Sequence, residues 1–456
     1  MGRYAKTPLF ISFFLVLFVL AGCDSSSSND GDSLGQEPAD ISEGLKKSSV
    51  AYNNTPDFAS SDLETLIGGF SDFTIDFYHA LRRDPSTKDE NLFFSTYSIE
   101  NALAMTWAGA RSNTADEMAD ALHLNLPQNR FHPTLNALNI DINSRDDQLP
   151  PSGDAFQLKL VNAIWSRIGY PLLPSYLDII AENYNAGVRT LDFAGNPDGS
   201  RQVINQWVED QTNEKIRDLL PPNAIGPLTT LVLTNAIYFK ASWFQKFDEN
   251  LTSPADFFLL DGSTVNVDMM NHKQLDTKFF QGNGFDVVEL PYASPMYEEN
   301  QYPEELSMMI IIPHLGMFET IESNLDYDSV DFMAASMQMG TIDFALPSFE
   351  FEFEVECKDI MQQLGMLDAF DPYRADFSGM VDPVDSKPWI DEIYHKAFVA
   401  VDEEGTEAAA ATAVVMRVTS MPDPVKISAD RPFIFLIRDN ITGAILFMGR
   451  VVDPTA

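Results

Sequence analysis

Two thiols, six imidazoles and 68 carboxylates are the groups of this 456-residue chain that could take part in chemistry. The imidazoles are His79, His123, His132, His272, His314 and His395, and no two of them, nor one with a cysteine, stand at metal-ligand spacing. No Gly-x-Ser-x-Gly elbow, Gly-rich phosphate loop or His-Glu-x-x-His helix occurs. Carboxylates are so abundant that chance proximity says nothing about an acid–base pair. A catalytic thiol at Cys357 would need a companion histidine motif, and none is present. The expectation is a protein that is not an enzyme and uses no metal or cofactor.

Cys23 has a different setting. Arg3 and Lys6 give a basic start, Leu9 to Leu20 is an almost unbroken apolar run, and Leu20-Ala21-Gly22-Cys23 follows. The run is too short for a permanent membrane helix, so residues 1–22 read as an export signal. Leu-Ala-Gly-Cys resembles the lipobox of bacterial lipoproteins, which implies cleavage before Cys23 and a lipid on its thiol. Cys357 would then have no disulfide partner. From Cys23 to about residue 60 the chain is rich in Ser, Asn, Asp, Gly and Pro and poor in apolar residues. Such a stretch cannot offset its ordering entropy by burial, so 23–60 is expected to be a flexible acidic tether.

The rest must position whatever works here. Ser61 to Asp84 has helix period, with Leu63, Ile67, Phe70, Phe77 and Leu81 on one face and Ser61 with Glu64 as a capping box. A second helix is expected from near Ser98 through Ala102 to Gly109, and a third over Arg201–Leu220 with Val203, Ile204 and Trp207 buried. Alternation from Phe156 to Ile164 predicts a half-buried strand. Leu231 to Phe239 is too apolar to alternate and predicts a buried central strand. Phe349, Phe351, Phe353 and Val355 interleave with Glu350, Glu352, Glu354 and Glu356, a strand with one wet acidic face. Phe433–Ile437 and Ile445–Val451 close the chain as two strands around the Asp439–Gly443 turn. Ala293 to Glu305 reads as a surface loop. No repeat or second linker appears, so 61–456 is expected to be one large α+β domain.

The net charge of −39 excludes function classes. Losing residues 1–22 removes two bases and no acid, and takes it to −41. Nucleic acids, anionic lipid headgroups and polyanionic sugars need basic surface. Between Arg130 and Leu149 the only bases besides His132 are Arg130 and Arg145. A soluble monomer facing the envelope or the outside is the expectation.

One segment stands out. Residues 402–421 follow an apparent strand, His395–Val401, and precede Pro422 and Pro424. Propensity alone makes Glu407–Met416 a short helix. Yet Gly405 to Met421 holds no Pro, and its first half is nearly all small residues. It could slide between two strands and pair on both sides. Thr406, Ala408, Ala410, Thr412 and Val414 would then point to the core, while Glu407, Ala409, Ala411 and Ala413 point outward.

The run Glu403-Glu404-Gly405-Thr406-Glu407-Ala408-Ala409-Ala410-Ala411-Thr412 closely resembles the hinge of inhibitory serpins. Further segments are similar to the family in order: Asn91–Ser95 and Ser98–Met105; Asn205–Glu209 with Thr212, Lys215 and Ile216; Thr234–Lys240 with Trp243 and Phe247; Leu290–Tyr292; Ala375–Ser378; His395–Ala397; Arg431–Phe433 and Gly449–Val451. The resemblance covers residues 60–455. It implies the serpin fold, a single large domain with three β-sheets, about nine helices and an exposed reactive-centre loop near 403–424. It implies inhibition by loop insertion: a serine protease cuts the loop, and the inserting loop traps it as an acyl-enzyme. It places the reactive bond at Thr419-Ser420, Thr419 being the seventeenth residue with Glu403 counted as the first, with Arg417 the alternative if the register slips by two. A β-branched residue there suits an elastase-like or subtilisin-like protease. The resemblance also makes Ser95, Ser98, Asn235 and His395 the polar cluster that yields when the central sheet opens, and sets Trp243 at the breach where the loop enters. On the residues alone, Ser98 is a helix N-cap and His395 a satisfied core histidine. Thr96 departs from the family's usual Pro. Two other functions stay open: a non-inhibitory serpin-like binding module, and inhibition of cysteine proteases. Localisation is expected to be export, either lipid-anchored to a bacterial envelope, in the periplasm or on the cell surface, or secreted.

Overall fold

The computed structural model describes residues 44–145, 157–293, 302–303, 305–382, 387–406 and 424–456. In chain order the strands are β1 (Leu45–Lys46), β2 (Leu92–Phe94), β3 (Gln157–Arg167), β4 (Val188–Leu191), β5 (Leu231–Ser242), β6 (Ser253–Phe258), β7 (Thr264–Gln281), β8 (Phe285–Pro291), β9 (Leu306–Pro313), β10 (Gln338–Pro347), β11 (Phe349–Glu356), β12 (Ile390–Val401), β13 (Gly405–Thr406), β14 (Val425–Ser428), β15 (Phe433–Asp439) and β16 (Ile445–Val451). The helices are α1 (Ser60–Leu81), α2 (Thr96–Trp107), α3 (Ser112–Ala121), α4 (Gln128–Asn143), α5 (Pro174–Tyr184), α6 (Pro197–Gln211), α7 (Phe318–Ser323), α8 (Tyr327–Ser336) and α9 (Lys358–Gln363). Asp40–Ala456 forms one compact unit.

Seven strands form one sheet, in the order β1-β4-β3-β5-β13-β12-β11. Below β13, β5 also pairs directly with β12, in parallel. A nine-stranded network runs β14-β10-β7-β8-β9-β15-β16-β2, with β6 also on β7. It joins what was expected as two further sheets, because the 18-residue β7 carries β6 and β10 along most of its length and β8 at its far end.

Both faces of the seven-stranded sheet are covered at β5, which is why Leu231–Phe239 does not alternate. On one face Leu233, Ile237 and Phe239 join the main core with α1, α2 and the nine-stranded network. On the other, Val232 and Ala236 join Trp165, Ile204 and Val208 beneath α6. The strands β11, β15 and β16 lie where the alternation and apolar runs place them. Every residue of α2 is buried, so that helix runs inside the molecule between the two β layers.

Several expectations need correction. The helix α1 starts after Ala59 with no side-chain cap, so Ser61 and Glu64 form no capping box. In α2 the cap is Ser95, whose hydroxyl accepts the Ser98 N–H at 3.1 Å, which puts Ser98 inside the helix. Thr96, in place of Pro, bonds the Thr74 hydroxyl. The helix α6 ends at Gln211, nine residues short of Leu220, where Thr212 accepts the Ile216 N–H and Asn213 and Glu214 turn left-handed. Within the expected tether, residues 44–53 lie along the surface attached to the body: Leu45–Lys46 pairs with β4, and Asn53 bonds Glu182 and Asn136.

Candidate functional site

The site begins where β12 ends. Asp402 turns the chain back: its carboxylate accepts the Glu404 and Gly405 N–H groups at 2.9 and 3.0 Å, and its N–H donates to the Gly405 carbonyl. Burial holds the Asp402 carboxyl above its ordinary value against those two bonds. The chain re-enters the sheet as β13. Gly405 and Thr406 pair antiparallel with Ser242 and Ala241 of β5, and Thr406 also with Val401 of β12. Two residues of the hinge therefore already lie between the strands that a longer insertion would have to part. Gly405 is required by this approach, since a Cβ there would meet the Ala241 carbonyl oxygen at 2.2 Å. Thr406 is 1% exposed, as expected of a core-facing residue, and its hydroxyl meets that of Tyr292 at 2.9 Å.

The turn is held from below. The Trp243 indole N–H donates to the Asp402 carbonyl at 2.9 Å, and its backbone N–H to the Glu404 carbonyl at 2.8 Å. Its ring stacks on Tyr292, 4.8 Å between centroids. Glu403 accepts from the Thr252 hydroxyl, and its carbonyl from the Phe247 N–H. Glu404 pairs with Lys246. Glu403 and Glu404 are thus both engaged at the entrance.

Further down, β5 and β12 run side by side in parallel, from Leu231 beside Ile390 to Ile237 beside Ala397. His395 faces Asn235 in that register. The imidazole Nε2 accepts the Ser95 N–H at 3.2 Å, so Nδ1 carries the proton and donates to Asn235 Oδ1 at 2.5 Å. The Asn235 amide donates to the Ser98 hydroxyl at 2.7 Å and to Asn162 Oδ1 at 2.6 Å. Asn162, on β3, also exchanges bonds with Ser98. Burial pushes the His395 pKa down to about 3, so the ring is neutral and the cluster carries no charge. Ser95, Ser98, Asn235 and His395 are brought together as the resemblance implied, and Trp243 lies at the entrance. Asn162 joins them as a further member of the cluster. The available signal was a lone Asn amid the apolar positions of a central strand.

A cavity of about 590 Å³ lies between residues 218–222 and β11–β12, bordered by Tyr394, His395 and Lys396. Lys396 pairs with Glu352 at 2.8 Å and donates to the Arg217 carbonyl, tying the segment after α6 to the sheet. Cys357 is a buried free thiol, and burial holds its pKa well above the usual range. Glu407, Ala408 to Ala411, Thr412, Arg417, Thr419, Ser420 and Cys23 lie outside the described residues.

The chain matches the family model described as Serpin (serine protease inhibitor) over residues 69–454. It is 38% identical to an uncharacterized serpin-like protein of Thermococcus kodakarensis over 392 residues, 85% of this chain and 86% of the relative. It is 35% identical to the leukocyte elastase inhibitor of Homo sapiens over 404 residues, 86% of this chain and all of the relative. Among solved structures it resembles the thermophilic serpin tengpin in its native state, with a TM-score of 0.76, 25% identity, and 91% and 98% of the two chains covered.

Proposed function

The chain belongs to the serpin family, and from that premise we propose that it traps a serine protease as a suicide substrate. The observation that carries this reading is β13. The hinge is seated between β5 and β12, and the pairing of those strands, with its uncharged Asn235–His395 bond, closes the path below it. The residues after Thr406 suit entry into that path, since Ala408 to Ala411 and Thr412 are all small and uncharged.

The chemistry follows from the loop's role as substrate. The protease serine attacks the Thr419 carbonyl, the bond to the Ser420 nitrogen breaks, and that nitrogen leaves as an amine carrying the proton from the protease's own base. An ester now joins the protease to Thr419. The freed loop adds strand pairing on both sides between β5 and β12 and carries the protease with it, which distorts the protease active site before water attacks. Inserting roughly 14 residues makes on the order of 25 hydrogen bonds, a net gain of roughly 10–40 kcal/mol. That exceeds the roughly 5–15 kcal/mol by which ordinary domains are stable, so the uninserted form is held kinetically.

Thr419 and the relative's name, leukocyte elastase inhibitor, favour a protease with a shallow primary pocket. The Leu-Ala-Gly-Cys sequence supports export and attachment to a bacterial envelope through Cys23. Incubation with pancreatic elastase, subtilisin, trypsin and papain tests the reading. We expect an SDS-resistant complex with a serine protease whose loop cleavage maps to Thr419-Ser420. Clean loop turnover by all four, with no complex, would overturn it.

A further inference from the structure

The cavity beside β12 takes no part in protease capture as set out above, yet its walls are chemically distinct. One wall is apolar. Leu219, Leu220, Pro221 and Pro222 of the segment after α6 form it, and the prolines fix φ along it. The opposite wall is set by strand register. Tyr394 and Lys396 of β12 stand beside Glu356 and Glu354 of β11, and all four line the cavity. Both cations in the lining are already engaged. Lys396 holds Glu352 at 2.8 Å, Glu354 at 3.6 Å and the Arg217 carbonyl. Arg201 holds Asp198 at 2.8 Å and the Leu220 carbonyl. Two carboxylates in the lining are not engaged. Those of Glu356 and Asp218 are exposed and form no ion pair or hydrogen bond among the described residues. Tyr394 is only 7% exposed, and its hydroxyl likewise has no partner among the described residues. A hydroxyl so placed is costly unless something in the cavity bonds it. Burial, then the charges on Glu356, Glu392 and Asp391, push that phenol well above its ordinary value, so it stays an O–H in anionic surroundings.

We propose that this cavity binds a small organic cation. Its ammonium or guanidinium group is held by Glu356, Asp218 and the Tyr394 oxygen, and its hydrocarbon part lies on the leucine and proline wall. The volume of about 590 Å³ is that of an ordinary small-molecule site. An anion fits worse. It would have to displace carboxylates already seated on Lys396 and Arg201, and it would then lie beside two free ones. A bare metal ion fits worse too. No group of three metal-ligating side chains occurs among the described residues, and the apolar wall offers an ion nothing. An organic cation uses both walls, since charge-assisted bonds take one end and apolar burial the other.

A net charge of −39 draws cations to the whole surface, so the test must separate the cavity from general attraction. Phenethylamine is titrated calorimetrically into the chain from Asp24 to Ala456 at about 0.15 M salt, which screens exposed charges. Phenylpropionate, a similar body with the opposite charge, is titrated alongside. We expect saturable one-to-one binding of the amine with a Kd of about 1 mM or tighter, and none of the acid. Glu356→Gln with Asp218→Asn should weaken the amine at least about tenfold, and Tyr394→Phe several-fold. Both altered carboxylates are exposed, so the fold should survive, which an unchanged melting temperature checks. Glu319→Gln with Asp256→Asn removes the same charge from exposed positions outside the cavity and should leave binding as it was. No saturable binding up to about 10 mM overturns the proposal. So does binding of the acid as tight as that of the amine, unchanged binding in either cavity variant, or an equal loss in the outside pair.

Discussion

Asn235 and His395 face each other across the seam, and their bond is worth most in what its loss would leave behind. Asn235→Ala strands a buried N–H, at a cost of about 1–3 kcal/mol. The histidine also gives the native fold a pH dependence. His395 and His132 are both held near a pKa of 3 by burial, against 6.5 unfolded. Between those values the unfolded chain binds protons that the native chain refuses, so stability falls as pH falls, by up to about 1.4 kcal/mol per pH unit for each ring. Glu392 acts in the opposite sense. Burial raises it from 4.5 to about 7, so its contribution is whole below 4.5 and lost as pH rises through 7. Melting curves from pH 4.5 to 7 should therefore fall less steeply on acidification in His395→Gln and more steeply in Glu392→Gln. Identical slopes in both variants would contradict the burial argument. At the hinge, Thr406 is buried, and a charge there would have to be desolvated as the loop enters. Thr406→Arg should turn the inhibitor into a substrate, read as loss of SDS-resistant complex with loop cleavage kept. Unchanged complex formation would contradict insertion.

At the scale of elements, β13 is the smallest strand that matters. Its pairing depends on the close approach at Gly405, so Gly405→Val should push it out of the seam. The expected result is a several-fold rise in the number of inhibitor molecules consumed per protease trapped, at an unchanged rate of loop cleavage. This element was legible in the sequence as the run of small residues after Glu404, because small size and the absence of Pro are local properties. The strands β5 and β11 were legible for the same reason, as an apolar run and as a strict alternation. Other features were not, because tertiary contacts decide them. Thr212 ends α6 by bonding Ile216, which no periodicity announces. The strand β1 is two residues long in a polar stretch, and it exists only because Gly44 and Gly187 let backbone meet backbone. Asn162 was visible as a residue but not as a partner, since its role depends on the register between β3 and β5.

At the scale of the molecule, the family resemblance read from scattered motifs agrees with a family match across residues 69–454 and with relatives that span 85% and more of the chain. On the loop-insertion reading we propose, this fold has not reached its most stable arrangement. On that reading the hinge has begun a strand that the rest of the loop completes after cleavage, and the neutral Asn235–His395 pairing and Lys396 resist completion. That claim is tested most directly by melting the chain before and after one cut between residues 407 and 423. If the gain from insertion is tens of kcal/mol, the cut chain should unfold more than about 20 °C above the uncut one. A cut chain that unfolds at the same temperature, or lower, would contradict the account.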